Sequence, residues 1–314
     1  MKAVKKHALT PLSSALAGIA LTTWVAGASA TDPCGDFGEC KVLIEINASD
    51  GDIGFHFLAD GSDLNALTIR APRPDGRKRG HRPKIFQYYV KGPLKDQKLT
   101  ETFAESAEPP CFDTSLDDDP DNDDEDFVTL VEFLERWSFG TYNFHGRSDR
   151  GERSHGETEL TNLIPAAPAD VDFDPDTGVV SWNAGDDLGA CSDADYELDS
   201  DLDMLIADGV IELVTEPDAW EIVLEPNFDD ESDDPAERAL AARFNKLKFT
   251  TRVAGDIPLP GAVTVPEEYL MDLPPNSPVK VEVGGIAGED NGTFTEEDGF
   301  CVNEDDAEDS YCED

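Results

Sequence analysis

The chain is poor in basic residues. Only 24 lysines and arginines stand against 69 aspartates and glutamates in 314 residues, and the formal net charge at pH 7 is −45. Because a protein that binds nucleic acid needs a positive footprint for the phosphates, this shortage excludes nucleic acid as an expected partner. The same imbalance disfavours docking to an anionic lipid surface.

Recognisable signatures of catalysis are also lacking. The sequence contains no G-x-S-x-G, H-E-x-x-H, P-loop or G-x-G-x-x-G motif and no C-x-x-C pair, which removes the common hydrolase, zinc-protease, nucleotide and redox patterns. His145 and His155 flank GRSDRGERS, where Asp149 and Ser148 or Ser154 would complete a triad, but triads are defined by geometry rather than by proximity in sequence. We therefore predict a protein that is not an enzyme, with no catalytic, cofactor-binding or metal-binding residues.

Long apolar runs are confined to the first thirty residues. Lys2, Lys5 and Lys6 precede the apolar stretch ALTPLSSALAGIALTTWVAG, and Ala28-Ser29-Ala30 follows it. This is the pattern of a secretory signal peptide at 1–30, cleaved after Ala30. No second run long enough to span a membrane follows, so we predict a secreted or periplasmic protein without a membrane span.

Six cysteines lie beyond this leader. An even number in an exported protein favours disulfides over metal ligation or redox catalysis. Local spacing suggests Cys34 with Cys40 and Cys301 with Cys312, which leaves Cys111 and Cys191 to pair over a long loop. Sequence alone does not fix this connectivity.

Short apolar alternations dominate the mature chain, and they are bounded by Gly, Pro, Asn and Asp. This pattern is typical of antiparallel sheets with one wet face, and it predicts an all-β fold. The segments with this pattern are KVLIEINA at 41–48, IGFHFLA at 53–59, IFQYYV at 85–90, GTYNFHG at 140–146, GVVSWNA at 178–184, WEIVLEP at 220–226, LKFTTRV at 247–253 and VKVEVGG at 279–285.

The proline-rich stretch LIPAAPAD at 163–170 marks the expected domain boundary. We predict two tandem β-sandwich domains at 31–165 and 166–303, followed by an acidic tail at 304–314. Two short helices are expected, VTLVEFLERW at 128–137 and PAERALAARFNK at 235–246, the second decorating a hairpin outside the core.

The second domain resembles a fibronectin type III domain. PADVDFDPDTGVVSWNAG is similar to its strands A and B, with Trp182 in the slot of the buried tryptophan, and WEIVLEP is similar to strand C. LPPNSPVKVEVGG is similar to the corner before strand F, except that Val279 stands where the family has its corner tyrosine. The resemblance implies a sandwich over about 166–302 whose corner is held by other residues.

The layout of the whole chain resembles an uncharacterised family of exported proteobacterial proteins. The segments that carry this resemblance are KLTETFAESAEP, EFLERWSFGTYNFHG, the proline-rich joint and DNGTFTEEDGF. This likeness concerns architecture and implies no activity.

The stretch DNDDEDFVTLVEFLERW begins like a calcium loop. An EF-hand loop starting at Asp121 takes its oxygen ligands from Asp121, Asp123, Glu125 and Glu132, but Asp126 stands where the sharp turn needs glycine. Because acids are so frequent here, we interpret the stretch as an acidic cap on the following helix and keep calcium as the alternative.

One segment has the opposite charge. Basic residues concentrate in RKRGHRP at 77–83, from Arg77 to Arg82. We interpret it as a hairpin loop attracted to the protein's own acidic surface, the alternatives being a site for an acidic glycan or a protease-sensitive loop.

These observations favour a non-catalytic interaction or scaffold module at the cell surface or in the periplasm, with an unknown protein or glycan partner and no cofactor. The alternative is an accessory domain of carbohydrate processing, or a divergent hydrolase that uses carboxylates. Two carboxyl groups with raised pKa in a groove would favour the hydrolase.

Overall fold

A computed structural model describes residues 34–73, 81–111, 127–192, 201–304 and 311–312. The predicted leader at 1–30 and the acidic residues at 121–126 lie outside these ranges. Strands far outnumber helices in the described part of the chain, so the all-β prediction is confirmed.

Each predicted alternation overlaps a strand, and further strands lie between them. The strands are β1 Glu39–Asn47, β2 Asp52–Arg70, β3 Lys84–Tyr89, β4 Leu99–Glu105, β5 Gly140–Ser148, β6 Arg153–Leu160, β7 Leu163–Pro165, β8 Ala169–Asp174, β9 Val179–Asn183, β10 Glu212–Val214, β11 Ala219–Pro226, β12 Phe249–Ala254, β13 Gly261–Thr264, β14 Ser277–Ala287 and β15 Asn291–Val302. The helices are α1 Pro93–Gln97, α2 Leu130–Arg136, α3 Asp201–Ala207, α4 Pro235–Phe244 and α5 Glu267–Met271.

The β1–β2 hairpin sets the register of the first half. Burial alternates strictly along β1, as a strand with one face on a core requires. At the turn, Asn47 Oδ1 accepts hydrogen bonds from the backbone N–H groups of Ser49 and Asp50, and Gly51 adopts a positive φ of 74°, which glycine tolerates without strain. Asn47 therefore lies opposite Asp52, and Glu45 lies opposite Gly54.

A ten-stranded main sheet contains strands from both halves of the chain. Its order is β12-β11-β14-β15-β1-β2-β5-β6, and β3 and β4 also pair with β2. β1 and β15 are parallel, with Glu45 opposite Gly292, whereas the other pairings of this sheet are antiparallel. The first and last long strands of the described chain are therefore neighbours.

A second sheet, in the order β13-β9-β8, packs on the β12-β11-β14-β15 part of the main sheet. Trp182 from β9 and Trp220 from β11 lie between the two layers, 0% and 1% exposed, with ring centroids 5.9 Å apart. Sheets that share a core in this way form a β-sandwich. The predicted burial of Trp182 in the C-terminal part is confirmed.

Buried side chains form two clusters, one in each half of the main sheet. The first also includes Leu188, Leu202, Leu205 and Ile211, which come after the boundary expected at 165. Because the main sheet crosses that boundary and residues 33–314 form one compact unit, the division into two domains stays a prediction.

The disulfide pairing suggested by spacing is confirmed. Cys34 pairs with Cys40, Cys111 with Cys191, and Cys301 with Cys312, with Cα atoms 5.7, 5.5 and 5.7 Å apart. The Cys111–Cys191 bridge joins residues 80 positions apart, and both of its cysteines belong to the first core.

Both predicted helices exist, but the role expected of the second was wrong. Thr129 caps α2 by accepting from the Glu132 N–H, and Trp137 at its end stacks on Phe55 at 4.1 Å. In α4, Ala241 and Phe244 are buried in the second core, because its apolar residues recur at helical spacing on one face. Within the described ranges, no helix is long and apolar enough to cross a membrane.

Candidate functional site

The main sheet has one face on the two cores and an opposite face that carries charged side chains. We call the second the outer face. Ile44 and Val281 point into the cores, so the alternation of strands places their neighbours Glu45 and Glu282 on the outer face. The register aligns further side chains with these two: Glu221, Lys280, Glu296 and His56.

Two glutamates from other segments of the chain lie beside His56 on the outer face. The Nε2 atom of His56 lies 3.1 Å from Oε1 of Glu108, and its Nδ1 atom lies 3.8 Å from Oε2 of Glu45. One ligand atom from each of these residues lies within 4.8 Å of the others. The His56 side chain is only 8% exposed, and its ring is nearly perpendicular to that of Phe103, with the ring centroids 5.9 Å apart.

Glu108 is positioned by a segment that runs along β2. The Ser106 N–H donates to the Phe55 carbonyl at 2.9 Å, and the Ile53 N–H donates to the Pro109 carbonyl at 3.3 Å. The N–H of Cys111 then donates to the Gly51 carbonyl at 2.8 Å. The side chain of Cys111 forms the disulfide with Cys191. Glu108 is thus held between backbone contacts on either side.

Gly54 leaves space for this carboxylate. A Cβ atom at position 54 would lie 2.5 Å from Oε1 of Glu108 and 2.9 Å from Nε2 of His56, closer than side-chain atoms approach one another. A larger residue at this position of β2 would therefore force the Glu108 and His56 side chains to move. We call Glu45, His56 and Glu108 the β1–β2 cluster.

Negative charge accumulates around the cluster. Burial raises the pKa of Asp52 to about 7, with further contributions from Glu108, Asp50 and Glu45. Burial also raises the pKa of Glu45, and Glu108 adds to this effect whereas His56 opposes it. Carboxylates that are partly removed from water, with few cations beside them, favour their neutral forms.

A second acidic group lies across β14 and β15. Burial raises the pKa of Glu282 to about 7, and Glu296 directly opposite adds to the shift. Lys280 and Lys248 oppose this shift, but Lys280 Nζ lies 2.7 Å from Glu296 and 3.4 Å from Glu225 and so already contacts two other carboxylates.

The substitution Glu282→Gln will make the protein more stable than wild type at alkaline pH and will have little effect near pH 5. The folded state retains a proton on Glu282 up to about pH 7, whereas the unfolded chain releases it near 4.5. Protonated Glu282 therefore contributes to the stability of the folded state at low pH, and this contribution is lost as the pH rises through about 7. Thermal unfolding of Glu282→Gln and wild type at pH 5 and pH 8 measures the difference.

Glu268→Gln is the matched control, because Glu268 is an exposed acid on α5. It removes the same charge from the same half of the protein. An equal gain at both pH values in Glu282→Gln, or an equal pH dependence in the control, would contradict the assignment to Glu282.

The two histidines considered for a triad face each other. His145 and His155 are cross-strand partners on β5 and β6, and their Nδ1 atoms lie 2.9 Å apart. Ser148 Oγ lies 3.4 Å from Oε2 of Glu152. The described hydrogen bonds therefore join histidine to histidine and serine to glutamate, not serine to histidine.

The remaining sequence candidates are only partly described. Asp121, Asp123 and Glu125 lie outside the described residues, while Glu132 is an exposed residue of the first turn of α2. Calcium binding there stays an open alternative. In the basic segment Arg77 to Arg82, only its C-terminal end is described, and Arg82 donates to the backbone carbonyl of Thr141.

Cavities occur elsewhere on the surface. One of about 450 Å³ is lined by residues 215–217, Trp220 and the loop at 255–259. Another of about 500 Å³ lies beside Asn65, Tyr89 and Arg147. Neither is lined by a member of the β1–β2 cluster.

Sequence reasoning missed the β1–β2 cluster. One signal was available, because the DG turn at 50–51 sets a register in which Glu45 and His56 are diagonal neighbours. The third member had no such signal, since Glu108 reaches the site through a segment that pairs with β2 only in the folded protein.

Comparisons with known proteins add little to this geometry. No family model and no curated protein matches the chain. A solved structure of a 1.5-MDa bacterial ice-binding adhesin, described for its retention at the host cell surface, aligns with 9% identity and a TM-score of 0.17. The alignment covers 87% of this chain and 65% of that chain. A TM-score this low carries no argument about fold or function.

Proposed function

We propose that the protein is an exported, non-catalytic interaction or scaffold module that acts at the cell surface or in the periplasm. The observation that carries this proposal is the junction between β1 and β15, which joins both halves into one sheet. A module that spaces or presents a partner must keep its parts in fixed relation, and a shared sheet provides this.

Asn291 is the central residue of the junction. It is 1% exposed, and its Oδ1 atom accepts from the Ile44 N–H at 3.0 Å. Its Nδ2 group donates to the carbonyl oxygens of Thr161 and Leu163 at 3.1 and 2.9 Å. One side chain thus satisfies backbone groups of β1 and of the connection between the halves, and buried polar groups need such partners.

The junction is reinforced at its rim. Ser49 and Glu296 exchange two hydrogen bonds of 2.8 Å, and Asp290 contacts Lys41 at 3.0 Å and Arg252 at 3.1 Å. The contacts of Ser49 and Lys41 tie residues near the start of the described chain to residues near its end.

The C-terminal sandwich is proposed to be a divergent fibronectin type III domain. The order β13-β9-β8 over β12-β11-β14-β15 accords with the resemblance of its strands, and Trp182 and Trp220 meet in the core. Such domains serve mostly in adhesion and spacing, and this analogy with the fold supports a module function. Kinship with the exported proteobacterial family is part of the same proposal.

Other residues hold the corner that lacks a tyrosine. Val279 is 1% exposed and belongs to the second core. Asn303 Nδ2 donates to the carbonyl oxygens of Leu270 and Leu273 at 2.7 and 3.0 Å. This asparagine, at the end of β15, fixes the chain just before β14.

The alternative, a carboxylate-based hydrolase, is favoured by one observation. Asp52 and Glu282 both have a pKa raised to about 7, and perturbed carboxyl groups are a mark of catalytic sites. Neither residue lines the cavities beside Trp220 or Arg147. Their place on the outer face agrees better with an interaction surface.

Photo-crosslinking in the source cell tests the module. Phe103 is 58% exposed on the outer face, and Met271 is 64% exposed on α5. A crosslinking amino acid at one of these positions, in the full chain, should yield a discrete adduct with a component of the cell envelope. The protein recovered should begin at Thr31.

A panel of chromogenic glycosides and esters tests the alternative function, a hydrolase. Turnover that disappears in Asp52→Asn, with no envelope adduct at either position, would replace the module with the hydrolase. Absence of turnover together with a discrete adduct would support the module.

A further inference from the structure

We propose that Glu45, His56 and Glu108 bind a single divalent transition-metal ion of the zinc class. Imidazole nitrogen and carboxylate oxygen are both ligands of zinc. Three donor atoms from different chain segments lie within 4.8 Å of one another. This proposal does not depend on the function proposed above.

The spacing of the donors suits a small ion. Zinc holds such ligands at about 2.0–2.2 Å, so adjacent ligands of a tetrahedral site are about 3.3–3.6 Å apart. Nε2 of His56 and Oε1 of Glu108 are 3.1 Å apart, and only a slight widening is required. Oε2 of Glu45 lies 3.8 Å from the other ring nitrogen, so its side chain has to turn toward the Nε2 side of the ring to share an ion with Glu108.

An ion pair alone leaves the site unbalanced. One imidazole faces two carboxyl groups here, Glu108 at 3.1 Å and Glu45 at 3.8 Å. A divalent ion neutralises both ligand carboxylates. Because His56 is buried and shielded by Phe103, this compensation takes place partly out of water, where it has most effect.

The donor set distinguishes zinc from the abundant hard cations. Calcium and magnesium prefer six or more oxygen ligands, whereas an imidazole donor suits zinc, copper, iron and nickel. Calcium and magnesium are therefore expected to collect diffusely over the acidic surface, and zinc to occupy one defined site.

The site is also rigidly built. β1 and β2 carry two of the ligands in fixed register, and the segment bearing Glu108 is held along β2 up to the disulfide at Cys111. Gly54 provides the space in which the donors converge. A bound ion would connect three chain segments and stabilise the folded state by an amount that grows with the logarithm of the ion concentration above the Kd.

Calorimetric titration of zinc chloride into the chelator-stripped mature protein, residues 31–314, tests the site. Magnesium in excess and about 0.15 M salt suppress diffuse binding to the acidic surface. We expect one saturable event. Glu108→Gln and His56→Gln should each weaken it by at least about 10–100-fold, the loss caused by removing even an outer partner of a metal ligand.

His145→Gln is the matched control, because it removes a histidine from the exposed His145–His155 pair and leaves the β1–β2 cluster intact. Zinc affinity should be unchanged in this variant. Cobalt(II) substitution supplies a second readout, since its visible absorption should be lost in Glu108→Gln, whose partly exposed side chain can be replaced without unfolding the core.

Three outcomes would overturn the proposal. Zinc binding that survives in Glu108→Gln, or that disappears in His145→Gln, would place the site elsewhere. If no saturable zinc binding remains in the presence of excess magnesium, the β1–β2 cluster is an ion pair that does not bind metal.

Discussion

Replacing Trp182 with alanine will lower the free energy of unfolding by about 3–5 kcal/mol, the range for truncating a buried aromatic residue. The side chain is 0% exposed between the two layers of the sandwich and contacts Trp220. Its removal leaves a cavity that rigid strands on both sides cannot close. Chemical denaturation followed by circular dichroism measures the loss.

Trp182→Phe is the control for this prediction. It keeps an aromatic ring in the core and removes the buried Nε1–H, which has no hydrogen-bond partner among the described residues. The phenylalanine variant should therefore lose clearly less stability than the alanine variant. A loss below about 1 kcal/mol in Trp182→Ala would show that the residue is not in a packed core.

Removing the Cys111–Cys191 disulfide is expected to cost about 4 kcal/mol. The bridge spans 80 positions, and the entropy that a crosslink removes from the unfolded chain grows with the length of the loop it closes. The bridge also anchors the end of the segment that positions Glu108. The double variant Cys111→Ser/Cys191→Ser, compared with wild type in a denaturation experiment without reductant, gives the value.

The matched control is Cys301→Ser/Cys312→Ser, because that bridge spans only 11 positions. The shorter loop predicts a smaller loss, about 3 kcal/mol. A larger loss in the control than in the Cys111–Cys191 variant would contradict the entropic origin of the difference.

Local patterns predicted most of the strands, because alternation reports directly which face of a strand is buried. The segment at 53–59 lies within β2, and the segment at 41–48 lies within β1 except for its last residue. The burial of Trp182 was implied by the resemblance to a fibronectin type III domain. Local spacing suggested two of the disulfides and left Cys111 and Cys191 to pair with each other.

Contacts between distant segments were not predictable in this way. Nothing local indicates that β1 pairs with β15, since strand pairing across the whole chain depends on the packing of both cores. For the same reason Asn291, the first residue of β15, gave no sign that it would hydrogen-bond to the backbone of β1. The burial of α4 was misjudged because its neighbouring acidic loop suggested an exposed position.

The candidate site shows the same limit on a smaller scale. The hairpin register relates Glu45 to His56, but Glu108 belongs to a segment whose position is set by backbone contacts to β2 and by the Cys111 bridge. Frequent acids concealed it further. In a chain with 69 acidic residues, a single glutamate carries no signal until the fold selects it.

Hydrogen exchange of the mature protein in increasing denaturant tests most directly whether both halves form one module. If the shared sheet makes them cooperative, amides of β2 and β5 and amides of β9 and β11 will lose protection together, with the same free energy of opening. Asn291→Ala should lower both values, whereas Asn143→Ala, which removes a surface hydrogen bond to Glu157, should lower neither appreciably. If all amides of one half exchanged together while those of the other half stayed protected, the result would contradict the account.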